Sequence, residues 1–176
     1  SVGAFVEAMN GRAQELGLRD THFTNPNGLD APEHYSTALD LARLTRAALQ
    51  VPAFAEVVAT RQITIEARSF TNHNRLLWSL DGAIGVKTGY TRAAGRTLVS
   101  AVERNGRRLI AVTLCAPDDW QDHACLYDEA FAAFSEREAV KAGACVASVP
   151  LLSGGSAALM AGESVTYALR DGETVT

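Results

Sequence analysis

The run Gly85-Val86-Lys87-Thr88-Gly89-Tyr90-Thr91 sets a cation, a hydroxyl and a residue without Cβ on consecutive positions. Along the edge of a strand, that set suits an extended peptide with a carboxylate. The peptide would add as an extra strand, its carboxylate near Lys87 and Thr88 and its backbone close against Gly89. The competing reading is a solvated lysine on an edge strand that ends in a glycine turn, because a tripeptide recurs by accident. A phosphate-binding loop fails on spacing. It needs glycine immediately before the lysine, and Val86 stands there.

Other chemistries have little support. The four histidines are far apart and form no His-Glu-x-x-His or comparable spacing, so no metal set and no cofactor is expected. Cys115, Cys125 and Cys145 are odd in number and lack a Cys-x-x-Cys pair. Buried free thiols are the expectation. Asp118 and Asp119 read as helix-capping residues rather than an acid/base pair.

The 176 residues are 47% hydrophobic and 20% charged, the balance of a chain that buries an apolar core. The net charge of -4, from 16 basic and 20 acidic residues, argues against a nucleic-acid or anionic-membrane surface. No apolar run approaches the roughly 20 residues of a membrane-spanning helix. The chain opens on Ser1-Val2-Gly3 without initiator Met or leader and closes on Asp171-Gly172-Glu173-Thr174-Val175-Thr176, a hairpin turn and the start of a strand. Truncation at both ends is expected.

The positioning elements follow from periodicity. Val2, Phe5, Val6, Met9, Ala13 and Leu16 recur at helical spacing, with Gly17 where a left-handed cap falls, which predicts a core helix packed along one stripe. Asn25-Pro26-Asn27-Gly28 is a turn. Ser36 or Thr37 caps a second helix, with Asp40 placed to complete a capping box from Thr37 and Leu41, Leu44 and Ala48 as its buried face. Pro52 limits it, and a short helical patch follows over 54–58. Ile63 and Ile65 alternate with polar residues as a strand with one wet face. Strands are predicted over 84–89, 96–103 and 107–115, the last two joined by Asn105-Gly106, whose residues both accept positive φ. These strands are apolar on both faces, so helices should cover both sides, one of them over 122–134. Short β pieces at 144–149, 157–161 and 165–169 open a β-rich module.

An ordered set of motifs is more specific than any member. Phe5-Val6 through Met9-Asn10, Thr21-His22-Phe23, Asn25-Pro26-Asn27-Gly28-Leu29, Tyr35-Ser36-Thr37-Ala38 with Asp40-Leu41-Ala42, Asn72-His73-Asn74-Arg75-Leu76-Leu77-Trp78 and Gly85 to Thr91 with Ala94-Gly95 follow one another. In that order they resemble the serine-type D-alanyl-D-alanine carboxypeptidases of the penicillin-binding protein group, over roughly residues 1 to 135. Ala116-Pro117-Asp118-Asp119-Trp120 resembles the sporulation-type branch.

The resemblance implies an α/β (α+β) fold: an antiparallel sheet covered by helices, as in the β-lactamase/transpeptidase-like fold, followed by the start of a small β-rich domain. Residues 1–137 would be the C-terminal portion of the catalytic domain and 138–176 the beginning of the β-rich domain. The signature set of such enzymes is Ser-x-x-Lys, Ser-x-Asn and Lys-Thr-Gly. Here only the last occurs, so no catalytic residue is expected in this chain. Lys87 and Thr88 would bind the substrate carboxylate, Gly89 would let the substrate strand lie close, and the backbone N–H of Tyr90 would form half of an oxyanion hole. Some members bind the carboxylate with an arginine inside the Asn-x-Asn-Arg run and another after the last sheet strand. Here the first position is His73 and the second region lacks arginine, which leaves His73 or Arg92 as stand-ins; a loop imidazole bonded to backbone is the plain alternative for His73. Arg75, Leu76, Leu77 and Trp78 read as structural.

The implied activity is removal of terminal D-Ala from peptidoglycan stem peptides through a serine acyl-enzyme, outside the cytoplasm in the bacterial envelope, with β-lactams as inhibitors. The missing N-terminal part of the same protein would be a partner, and membrane contact would come only through segments outside the chain. A β-lactamase or transpeptidase of the same fold, or a non-catalytic cell-wall-binding remnant, are the alternatives. Alone, the segment is expected to pack poorly or aggregate and to be inactive.

Overall fold

The computed structural model describes residues 1–170 and 172–173; the strand start expected at 174–176 lies outside them. The chain divides into two compact units, Ser1–Tyr127 and Asp128–Thr176.

The first unit opens with α1 (Val2–Glu15). Its end follows from glycine: Gly17 takes φ 70°, Leu18 N–H donates to Ala13 O at 2.9 Å and Gly17 N–H to Gln14 O at 2.9 Å. That pair of bonds satisfies two carbonyls the helix leaves open, and Ala13 and Leu18 are both buried beside it. The expected core stripe is only half realised. Val2 and Phe5 stay 65% and 59% exposed, because no described element packs over the first turns.

Helix α2 (Ala38–Ala48) starts at Thr37, whose hydroxyl accepts the Asp40 N–H at 3.2 Å. The predicted capping box is half formed. Asp40 turns away and accepts from Asp20 N–H and the Thr21 hydroxyl, both at 2.9 Å, tying the loop after α1 to α2. Burial alone would raise the Asp40 pKa, but these bonds and Arg43 hold the carboxyl below its usual range. Leu41, Leu44 and Ala48 are half-buried, and Leu49 just beyond them is buried. Pro52 does not simply stop α2; it begins α3 (Pro52–Ala59), where its missing N–H costs nothing.

Strands β1 (Gln62–Ile65) and β2 (Arg68–Thr71) form a two-stranded hairpin. Ile63 and Ile65 were expected to have one buried face, yet both are exposed, since no layer lies over the hairpin. A short α4 (Leu76–Ser79) buries Leu76 and Leu77 and leaves Trp78 exposed.

The centre is the antiparallel sheet β3 (Ala83–Thr91), β4 (Gly95–Arg104), β5 (Arg107–Thr113), in that spatial order. Asn105 (φ 52°) and Gly106 (φ 76°) make the predicted hairpin. On one face Ala101 packs with Leu49 and Val86, joined by Ala55, Val58 and Ile110, so α2 and α3 cover that side. On the other face Ser100 meets α5 (Asp119–Ala133), whose residues up to Tyr127 belong to this unit.

The contact with α5 is a chain of hydrogen bonds centred on three buried side chains, Ser100, His123 and Tyr127. Ala111 N–H donates to Tyr127 Oη at 3.1 Å, and that hydroxyl shares a hydrogen bond with Ser100 Oγ at 2.8 Å. Ser100 Oγ is also bonded to His123 Nδ1 at 2.6 Å, and His123 Nε2 to Thr113 Oγ1 at 3.0 Å. Burial pushes the His123 pKa down to about 4 against the pull of Asp119 and Asp122, and burial pushes Tyr127 up to about 12. Both groups are therefore neutral at pH 7, as the chain requires. Asp119, expected as a cap, instead accepts Arg96 Nη2 at 2.7 Å and Trp120 N–H at 3.0 Å and is buried. The main-chain carbonyl of Asp118 accepts the first helical bonds, from Gln121 and Asp122 N–H.

In the second unit β6 (Phe134–Val140) pairs antiparallel with β9 (Val165–Arg170), and β7 (Cys145–Pro150) with β8 (Ser156–Met160). Strand β6 has no counterpart among the expected pieces, because the helix was predicted to run to Phe134. All three cysteines are free, but they are exposed rather than buried. Cys115 follows β5, Cys125 sits on α5 and Cys145 begins β7, each on an exposed position, so the general tendency of free thiols to burial does not operate here.

Two outcomes follow from the buried chain. Tyr127→Phe removes a hydrogen-bond partner of Ser100 and the acceptor of Ala111 N–H, and denaturant titration should show a loss of about 1–3 kcal/mol. A histidine whose folded pKa is depressed from 6.5 to about 4 contributes stability that is full above 6.5 and lost as pH falls toward 4. Unfolding midpoints should fall across that window, and His123→Gln should flatten the slope.

Candidate functional site

Lys87, Thr88, Gly89 and Tyr90 lie on β3, opposite Val99, Leu98, Thr97 and Arg96 of β4. Among the described strands β3 has a neighbour on one side only. Which of its peptide groups face the open side is set by β4. The Arg96 carbonyl accepts Ala116 N–H at 3.0 Å, away from β3, while Glu103 N–H donates toward β3, to Gly82 O at 2.8 Å. Antiparallel ladders alternate, so Arg96 and Tyr90 form a pair that exchanges no hydrogen bonds, as do Leu98 and Thr88. The N–H and C=O groups of Thr88 and Tyr90 therefore point to the open edge. Those of Lys87 and Gly89 belong to the ladder with β4.

The side chains complete this edge. Lys87 is exposed, its Nζ donates to the outward Thr88 carbonyl, and among the described residues it has no carboxylate partner. Thr88 is half-buried, and Tyr90 is 72% exposed. Gly89 has a reason internal to the sheet: a Cβ there would sit 2.5 Å from Thr97 Oγ1. A cation, a hydroxyl and the outward main-chain groups of Thr88 and Tyr90 thus occupy one strand edge, an arrangement able to hold an extended, anionic peptide.

The two stand-ins are placed differently. Arg92 is exposed in the turn just after β3. His73 is exposed in the loop before α4, between two asparagines that lock that loop. Asn72 Nδ2 donates to Thr60 O at 3.0 Å, its Oδ1 accepts Asn74 N–H at 3.0 Å, and Asn74 Oδ1 accepts Leu76 N–H at 3.2 Å. No hydrogen bond joins His73 to residues 87–90 among the described residues. Asn74 is buried with its Nδ2 unpartnered. Among the described residues no group of three or more His, Cys, Asp or Glu is placed to hold a metal ion, and no helix is long and apolar enough to cross a membrane.

Two features went unread in the sequence. The four-residue spacing of Asp119, His123 and Tyr127 puts three polar or aromatic groups on one stripe of α5, a signal hidden by the alanine-rich context. The second, a bond from Thr91 Oγ1 to Asp30 Oδ1 at 2.9 Å, joins residues too distant in sequence for any pattern to show.

Comparison with known proteins agrees with this geometry. The family model for peptidase S11, D-alanyl-D-alanine carboxypeptidase, matches residues 1–118. D-alanyl-D-alanine carboxypeptidase DacB2 of Mycobacterium tuberculosis is 40% identical over 139 residues, 72% of this chain and 48% of that protein. DacF of Bacillus subtilis is 34% identical over 158 residues, 85% of this chain and 41% of that protein. Among solved structures, penicillin binding protein 5 of Haemophilus influenzae superposes with a TM-score of 0.84 at 29% identity, covering 98% of this chain and 52% of that one. A mutant of the Streptomyces K15 DD-transpeptidase gives 0.72 at 33% identity over 74% of this chain and 55% of its own. The chain spans about half or less of the length of these relatives. The family model spans two thirds of the sequence, and the chain belongs to the D-alanyl-D-alanine carboxypeptidases of peptidase family S11.

Proposed function

We propose that this chain is one wall of the active site of a D,D-carboxypeptidase that removes terminal D-Ala from peptidoglycan stem peptides in the bacterial envelope. The observation that carries the reading is the open edge of β3, with Thr88 and Tyr90 main-chain groups turned outward and Lys87 without a carboxylate partner among the described residues. The nucleophilic serine and its lysine base belong to a Ser-x-x-Lys motif that this chain does not contain. Residues 1–137 are then the later part of the catalytic domain and 138–176 the opening of a β-rich domain. The separation into two compact units, Ser1–Tyr127 and Asp128–Thr176, supports a two-part reading, with its boundary ten residues earlier.

In this reading the substrate strand lies along β3. Its C-terminal carboxylate is held by the Lys87 ammonium and the Thr88 hydroxyl, with Arg92 or His73 as a further cation. The scissile carbonyl oxygen receives the outward Tyr90 N–H, which stabilises the oxyanion as serine attacks. The C–N bond to D-Ala breaks, D-Ala leaves, and water releases the acyl-enzyme. β-Lactams react at the same serine through the same contacts.

The likeness to the K15 DD-transpeptidase favours one second reading: transfer of the acyl group to an amine instead of water. Adding a D-amino acid acceptor and measuring product partition separates the two.

The test is labelling of the intact protein with a fluorescent penicillin, alongside D-Ala release from a D-Ala-D-Ala peptide. Both should occur, and absence of both overturns the proposal in favour of a binding remnant. Lys87→Ala should lower acylation by about 10²–10³. Gly89→Ala should cost about 1–3 kcal/mol through the Thr97 clash. Combined with Thr97→Ala it should regain its melting temperature. Activity that stays low in the double variant assigns Gly89 a second task in substrate approach; activity that returns removes it.

A further inference from the structure

The hydrogen bond between Thr91 and Asp30 spans 61 residues and ends one residue beyond Tyr90. Its geometry is closed at both ends. Thr91 Oγ1 donates to Asp30 Oδ1 at 2.9 Å and accepts Ala94 N–H at 3.0 Å, so the hydroxyl has one orientation and ties the β3–β4 turn as well.

The far side is equally built. Asn25 Oδ1 accepts Gly28 N–H at 2.8 Å and Leu29 N–H at 3.1 Å, while its Nδ2 donates to Leu29 O at 2.9 Å. Both main-chain groups of Leu29 are thereby fixed, and Asp30 follows directly. The base of the loop is held by Asn10, whose amide accepts Phe23 N–H and donates to Phe23 O, each at 2.8 Å, and by the His22–Tyr35 bridge. A continuous set of hydrogen bonds thus runs from α1, through residues 22–35, to the end of β3.

An edge strand has no neighbour to hold its outer side, so its last residues fray unless something else anchors them. The geometry points to Asp30 as a positioning residue: its carboxylate fixes the Thr91 hydroxyl and so holds the end of β3 where the Tyr90 N–H meets the substrate carbonyl. This rests on the proposed carboxypeptidase reading. Asp30 itself touches no reacting atom. Its effect passes through Thr91, and small displacements of an oxyanion donor cost rate more than binding.

The test uses the intact protein with Asp30→Ala, Asp30→Asn, Thr91→Val and the double variant Asp30→Ala/Thr91→Val. Measured quantities are penicillin acylation rate, kcat and KM for D-Ala release, and amide hydrogen exchange over residues 89–94. Asp30→Ala and Thr91→Val should each lower acylation and kcat roughly tenfold. KM should stay within roughly twofold, and exchange over 89–94 should quicken. The double variant should be no worse than either single, and Asp30→Asn, which keeps an acceptor, should stay near the parent. Unchanged exchange in Asp30→Ala overturns the inference, as does parental acylation in that variant or an Asp30→Asn as impaired as Asp30→Ala. If the parent neither reacts with penicillin nor releases D-Ala, the carboxypeptidase reading fails by itself; the exchange comparison still decides whether Asp30 anchors the strand.

Discussion

The phase of hydrogen bonding along β4 governs the rest of the molecule. A central strand offers its main-chain groups alternately to left and right, and once one residue is committed all others follow. Arg96 is committed outward from β3 by Ala116, and Glu103 toward it by Gly82. A shift of one residue would turn the Thr88 and Tyr90 groups inward and present those of Lys87 and Gly89 instead. It would also swap Leu98, Ser100 and Val102 with Val99 and Ala101 between the two faces of the sheet. The side-chain chemistry of both faces and the main-chain chemistry of the edge are thus set by one register.

That register is protected on both faces by different means. Toward α2 and α3 the contact is apolar, built on Leu49, Val86 and Ala101, and tolerates adjustment. Toward α5 it is polar and directional: the Ser100 hydroxyl must meet both His123 Nδ1 and Tyr127 Oη. A buried polar chain stabilises little over an apolar contact of the same shape, but it penalises every misalignment by leaving a donor or acceptor unpaired. Arg96 joins both tasks. Its carbonyl sets the ladder phase, and its guanidinium binds Asp119 and lies 5.5 Å from the Trp120 ring centroid.

Much of this was legible in the sequence where the determinants are local. Asn105-Gly106 demands positive φ, Gly17 ends α1, Thr37 begins α2, and apolar residues on both strand faces call for two covers. The Lys-Thr-Gly edge was legible through its ordered neighbours rather than alone. What escaped was non-local or contextual. Asp40 fits a capping box by spacing, but Asp20 and Thr21, brought close by folding, compete for its carboxylate and win. Ile63 and Ile65 alternate as a half-buried strand does, yet burial requires a second layer that no periodicity supplies. Strand β6 carries Glu136, Arg137 and Glu138, with no apolar alternation to reveal it. The direction of the Tyr90 N–H depends on a bond between Arg96 and Ala116, which sequence pattern does not show.

Keeping one sheet edge open carries a hazard of its own, since any exposed strand of another copy could zip onto it and start an aggregate. Lys87 bears on this as well. By donating to the Thr88 carbonyl it occupies an acceptor that an incoming strand would use, and its charge repels the lysine of an identical edge. In the proposed reading, a peptide whose carboxylate draws the ammonium away would free that carbonyl as it arrives. The same side chain would then discriminate between a guest strand and a self-association partner.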